Sequence, residues 1–115
     1  MTTPQPAILV VDDNLQVRRY VVQLLTEASF RCMEAEDATA ALAAVASTPI
    51  ALLVSDVRLQ GASGVELARQ ARSLQPSLPV LLMSGYDLEG LDYEHIVKPF
   101  EPAEFLDKVR GMVSP

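Results

Sequence analysis

The 115-residue sequence has one cysteine and no tryptophan, and its fifteen acidic residues outnumber nine basic ones, for a formal charge of −6. Cys32 by itself cannot close an internal disulfide, which fits a reducing compartment and an expected cytoplasmic location. The shortage of lysine and arginine argues against a nucleic-acid binder, because counterion release needs a basic surface. No apolar run approaches the length of a membrane span. The opening "MTTPQP" lacks the basic-then-apolar order of a secretory signal. Repeats, low-complexity tracts and internal linkers are also missing, so residues 1–115 are expected to form one domain.

What is present is a hydrophobic pattern that switches period repeatedly. Ala7–Val11 is a continuous apolar run of strand length, of the kind buried on both faces of a parallel sheet. Leu15–Ala28 follows with Val17, Tyr20, Val21, Leu24 and Ala28 at helical spacing and Asn14 as N-cap. Phe30–Ala35 reads as a weaker strand and Asp37–Ser47 as an alanine-rich helix closed by Pro49. Ile50–Ser55 is a second buried strand. Gly64–Leu74 is a helix using Val65, Ala68, Ala71 and Leu74. Pro79–Ser84 and His95–Lys98 are the last strands, and Pro102–Val113 is a final helix with Phe105, Leu106, Val109 and Met112 inward. Strands alternating with helices predict an α/β fold with right-handed crossovers and a parallel sheet covered on both faces.

In such a sheet, ligands sit at the carboxyl ends of the strands. That rule gathers Asp12 and Asp13, Asp56, Ser84 and Lys98, each of which ends an apolar run. Two carboxylates about 4 Å apart repel by roughly 4 kcal/mol at an effective dielectric of 20, so three together require raised pKa values or a cation. Oxygen donors without histidine or cysteine favour a hard ion, with Mg²⁺ the natural candidate. Lys98 adds a positive point charge. Three acids, a hydroxyl and a lysine make a site for a phosphoryl group. The bland alternatives are an acidic pair that only caps the turn into the first helix, a loop acid at Asp56, turn chemistry at Ser84 and a surface lysine at Lys98.

The motifs "VVDD", "LLVSDVRLQGASGVEL", "LLMSGY" and "VKPF", in that order, resemble the receiver domains of bacterial two-component response regulators over essentially the whole chain. The resemblance implies a flavodoxin-like doubly wound sheet of five parallel strands in the order 2-1-3-4-5. It implies that Asp56 accepts a phosphoryl group from a histidine kinase or phosphotransfer protein. Asp12 and Asp13 would hold Mg²⁺, with Asp13 and Asp56 as direct ligands and the Arg58 backbone carbonyl as a third. Ser84 would bond a phosphoryl oxygen, Lys98 would pair with the phosphoryl group, and Lys98–Pro99 would be a cis peptide. Such a chain is a switch that modifies itself, through self-phosphorylation and slow self-dephosphorylation, rather than an enzyme in the usual sense. A haloacid-dehalogenase-like phosphatase also uses an aspartate nucleophile with Mg²⁺, but its D-x-D motif would need an acid where Arg58 stands.

Three features depart from the family pattern. Only nine residues, Tyr86 to Glu94, separate "MSG" from "HIVKPF". Nine extended residues reach about 30 Å, enough to return along a strand but not while winding several helical turns. The fourth helix is therefore expected to be missing or reduced to one turn. His95 stands where receivers commonly carry tyrosine or phenylalanine, and reads either as a local hydrogen-bonding residue or as a pH-sensitive switch. Arg58 and Tyr86 are large side chains flanking the route of water to an acyl phosphate, which predicts slow self-dephosphorylation. The expected role is a stand-alone, monomeric receiver with an unknown downstream protein partner and no nucleic acid or membrane. A receiver cut from a hybrid kinase, or a phosphorylation-independent protein-binding module on the same fold, are the alternatives.

Overall fold

The structure, a computed structural model, describes residues 6–87, 90 and 92–113. Its elements are β1 (Ala7–Val11), α1 (Leu15–Glu27), β2 (Cys32–Ala35), α2 (Ala38–Ser47), β3 (Ile50–Asp56), β4 (Arg58–Leu59), β5 (Ala62–Ser63), α3 (Gly64–Leu74), β6 (Val80–Ser84), β7 (Glu94–Val97) and α4 (Pro102–Val113). Five strands form one sheet in the order β2-β1-β3-β6-β7, every neighbouring pair parallel. This is the expected doubly wound order, with β6 and β7 as the fourth and fifth strands of the sheet.

The apolar runs are continuous because both faces of the central strands are covered. Along β1, Leu9 and Val11 pack with Leu53, Leu82 and the α2 and α3 residues Ala41, Val45, Leu67, Ala68 and Ala71. Ile8 and Val10 pack on the opposite face with Leu52, Val54, Leu81, Met83 and the α1 and α4 residues Val21, Leu25, Phe105 and Val109. Each of the first three helices starts at a polar cap, whose side chain accepts a backbone N–H left unpaired by the first turn. Asn14 accepts from Val17, Asp37 from Ala40, and Ser63 from Val65 and Glu66. Pro102 opens α4, where its missing N–H removes nothing the helix would use.

Several local expectations need correction. Tyr20 is 46% and Leu74 49% exposed, while Leu25 and Leu67 are buried in their place. In α1 the i, i+4 pair Val21 and Leu25 faces the sheet, which turns Tyr20 towards solvent. The second strand starts at Cys32 rather than Phe30, because the Phe30 amide is spent on the Leu25 carbonyl as the chain leaves α1. Between β3 and α3 lies an antiparallel hairpin, β4 with β5, that the sequence pattern did not predict; Gly61, at φ 73, makes its tight turn.

Between β6 and β7, none of the described residues 86, 87, 90, 92 and 93 is helical. Leu88, Glu89 and Leu91, on which the expectation of a missing or one-turn helix also falls, lie outside the described residues. Among the described residues there are four helices, and none is long and apolar enough to cross a membrane.

Candidate functional site

The register of the sheet decides which side chains can meet. Val11 is level with both Ala35 and Ser55, Asp56 with Met83, and Ser84 with Val97. The residues that follow or close these strands, Asp12, Asp56, Ser84 and Lys98, therefore arrive along one end of the sheet.

Asp12 is 1% exposed. Its Oδ1 accepts the Asn14 amide at 2.9 Å, but its Oδ2 is buried without a hydrogen-bond partner. The nearest cation is the Lys98 ammonium, 3.9 Å from that oxygen. Burial pushes the Asp12 carboxyl above the usual carboxylate range; the Asn14 amide opposes the shift, Asp56 adds to it, Lys98 opposes it and Asp13 adds to it. Asp13, the next residue, is exposed.

Asp56 is held from two sides. Its Oδ2 accepts a 2.6 Å hydrogen bond from Lys98 Nζ, and its Oδ1 accepts the Arg58 amide at 3.0 Å. Ser84 Oγ donates to the Tyr86 carbonyl at 2.6 Å and accepts the Tyr86 amide at 3.1 Å. Its hydroxyl is thus engaged in the turn that begins the β6–β7 connection. Asp56, Val57, Arg58, Ser84, Gly85 and Tyr86 line a cleft of about 220 Å³. The Lys98–Pro99 peptide bond is cis. His95 Nε2 is 2.7 Å from Asp87 Oδ1, tying β7 to the start of the connection.

Among the described residues no three histidine, cysteine, aspartate or glutamate side chains converge into a metal cage. A metal here would draw on two carboxylates, backbone oxygen and water, which suits an ion that keeps much of its hydration shell. The buried Oδ2 of Asp12, which has no hydrogen-bond partner and only the distant Lys98 ammonium as counter-charge, is the observation that favours a cation.

Two residues of the site had no role in the sequence reading. Gly64 opens α3 so close to β3 that a Cβ on it would lie 2.1 Å from the Asp56 carbonyl oxygen, so only glycine fits. A glycine placed directly after the cap residue Ser63 was the available signal. Arg18 curls back from α1 to donate from Nη1 to the Asp12 carbonyl at 2.7 Å. It is one of the two basic residues nearest the acidic pair in sequence, which was the signal there.

The geometry has close counterparts. The profile of the response regulator receiver domain matches residues 8–110. The phosphate regulon transcriptional regulatory protein PhoB of Pseudomonas aeruginosa is 29% identical over 92% of this chain, which spans only 51% of that protein. A CheY-like receiver domain protein from Methanospirillum hungatei superposes with a TM-score of 0.87 at 25% identity, covering 96% of this chain and 94% of that one. The response regulator TrrA of Thermotoga maritima, solved in complex with Mg²⁺–BeF, gives 0.85 at 28% identity over 94% of this chain and 99% of its own. With its parallel sheet in receiver order and its acids, serine and lysine at the strand ends, the chain belongs to the response regulator receiver domains of two-component signalling.

Proposed function

We propose that this receiver switches by phosphorylation of Asp56. The observation that carries the reading is the 2.6 Å contact of Lys98 Nζ with Asp56 Oδ2 beside the desolvated Asp12. A carboxylate held at a strand end, with a cation on one oxygen and a backbone amide on the other, is positioned for attack on phosphorus. One Asp56 oxygen forms the new P–O bond as the P–N bond to a donor phosphohistidine breaks, and the imidazole leaves with the electron pair. Little proton transfer is required, so orientation and charge neutralisation supply most of the rate.

Mg²⁺, held by Asp13 and Asp56 with the Arg58 carbonyl and with Asp12 beside it, would supply positive charge to the phosphoryl oxygens. Lys98 stays with the phosphoryl group as its counter-charge. Ser84 gives up its bond to the Tyr86 carbonyl to donate to a phosphoryl oxygen, which passes the change to the β6–β7 connection. The donor is a histidine kinase or a phosphotransfer protein, and the output is altered binding of a downstream protein by a monomeric receiver. TrrA, crystallised with Mg²⁺–BeF, supports the metal assignment by likeness.

The test is intact mass after incubation with Mg²⁺ and acetyl phosphate or phosphoramidate, on wild type and Asp56→Asn. One added phosphoryl group in the wild type alone is expected. No gain in a folded, Mg²⁺-binding wild type with any small donor or purified phosphohistidine protein would leave the phosphorylation-independent binding module as the better reading.

A further inference from the structure

We propose that Arg18 is a positioning residue, a clasp that fixes the turn bearing Asp12 and Asp13 so that the acidic pair is preset for Mg²⁺. This rests on the reading of the strand ends as a Mg²⁺-assisted phosphoacceptor site. Three of the four hydrogen-bonding groups of Asp12 are engaged. Its amide donates to the Ala35 carbonyl at 3.3 Å, its carbonyl accepts Arg18 Nη1 at 2.7 Å, and its Oδ1 accepts the Asn14 amide at 2.9 Å. Only Oδ2 is left without a hydrogen-bond partner, with the Lys98 ammonium 3.9 Å away, so the backbone is pinned while one oxygen stays available.

The guanidinium is itself anchored. Its side chain is 12% exposed, and Nε donates to Glu34 Oε1 at 2.9 Å. Glu34 lies on β2, level with Val10 of β1. Arg18 therefore ties three elements together: α1, which carries it; β2, through Glu34; and the turn after β1, through the Asp12 carbonyl. A planar fork with donors in fixed directions can serve two acceptors at once, which a lysine ammonium on a flexible stem cannot do in the same geometry. Groups that orient metal ligands without touching the metal control affinity in this way.

The sign of the effect separates positioning from simple electrostatics. A cation near the site repels a second cation, so if Arg18 acted only through its charge, removing it would tighten Mg²⁺ binding. Loss of positioning weakens it. The experiment is an amide-shift NMR titration of unphosphorylated protein with Mg²⁺, on wild type, Arg18→Gln and Arg18→Lys, with urea melts to establish folding. Arg18→Gln is expected to raise the Mg²⁺ Kd by about tenfold, as for other groups that orient metal ligands, and Arg18→Lys by a smaller factor. Phosphorylation by phosphoramidate should slow at limiting Mg²⁺ and recover at saturation in both.

An unchanged or tighter Kd in folded Arg18→Gln overturns the clasp. Should that variant fail to fold, Arg18→Lys decides: a weakened Kd supports the clasp, and an unchanged one overturns it. A wild type that neither binds Mg²⁺ nor gains a phosphoryl group overturns the proposed function instead, so the two failures are distinct.

Discussion

Burial removes the Asp12 carboxylate from water while leaving one of its oxygens unpaired, and the folded-state pKa rises above the ordinary 3.8 in consequence. Below that value Asp12 is protonated in both states and adds nothing to the pH dependence. As pH rises towards the folded pKa, the native state holds the proton longer than the unfolded chain. Stability from this group therefore falls through that window, and at neutral pH ionised Asp12 is a standing cost. Asp12→Asn keeps an acceptor for the Asn14 amide and removes the buried charge. In metal-free protein at pH 7 it should raise stability, because the desolvated charge is removed. Urea melts at pH 7 and near pH 4 check this, with the gap between variant and wild type larger at pH 7. At the same scale, Arg58 and Tyr86 line the cleft beside Asp56, where the proposed role is to narrow the approach of water. Phosphorylated Arg58→Asn and Tyr86→Ala should each lose the phosphoryl group several-fold faster, read by the decay of the phosphorylated mass. Unchanged lifetimes in both would remove this role from the two side chains.

At the level of elements, α3 abuts the strand that carries Asp56, and the contact is as close as two backbones allow. Gly64→Ala would drive a Cβ into the Asp56 carbonyl, and backbone rather than a flexible side chain would have to give way. The variant should lose about 2–3 kcal/mol of stability, as overpacked sites do, and accept phosphoryl groups more slowly because β3 shifts. A melt superimposable on wild type would show that α3 can retreat without loss. Most elements were legible in the sequence because their periods are clean: α3 and α4 have the predicted bounds, and β1 and the Ile50–Val54 part of β3 stand out as unbroken apolar runs. The β4–β5 hairpin was not legible, since two-residue strands have no period to detect. Inward faces were legible only to within one helical position, as Tyr20 and Leu74 show, because the stripe that packs is chosen by the sheet beneath it.

Across the whole molecule, Mg²⁺ binding at the proposed site would be linked to folding, because the acids that would hold it meet only in the native sheet. At a Mg²⁺ concentration of about 100 Kd the wild type should gain about 2.7 kcal/mol, and Asp13→Asn should lose most of that gain while remaining folded. Thermal melts with and without Mg²⁺ read this directly, and an equal gain in both proteins would place the ion elsewhere. The alternation of strand and helix, the residues that end each apolar run and the brevity of the β6–β7 connection can be read along the chain, since each is local in it. That Lys98 Nζ reaches Asp56 across 42 positions of sequence, that Asp12 rather than Asp13 is the desolvated acid, and that His95 faces Asp87 emerge only in the folded sheet. These are consequences of strand order and register, which bring side chains distant in the chain to neighbouring strand ends, and no local pattern encodes which oxygen is left without water or a partner.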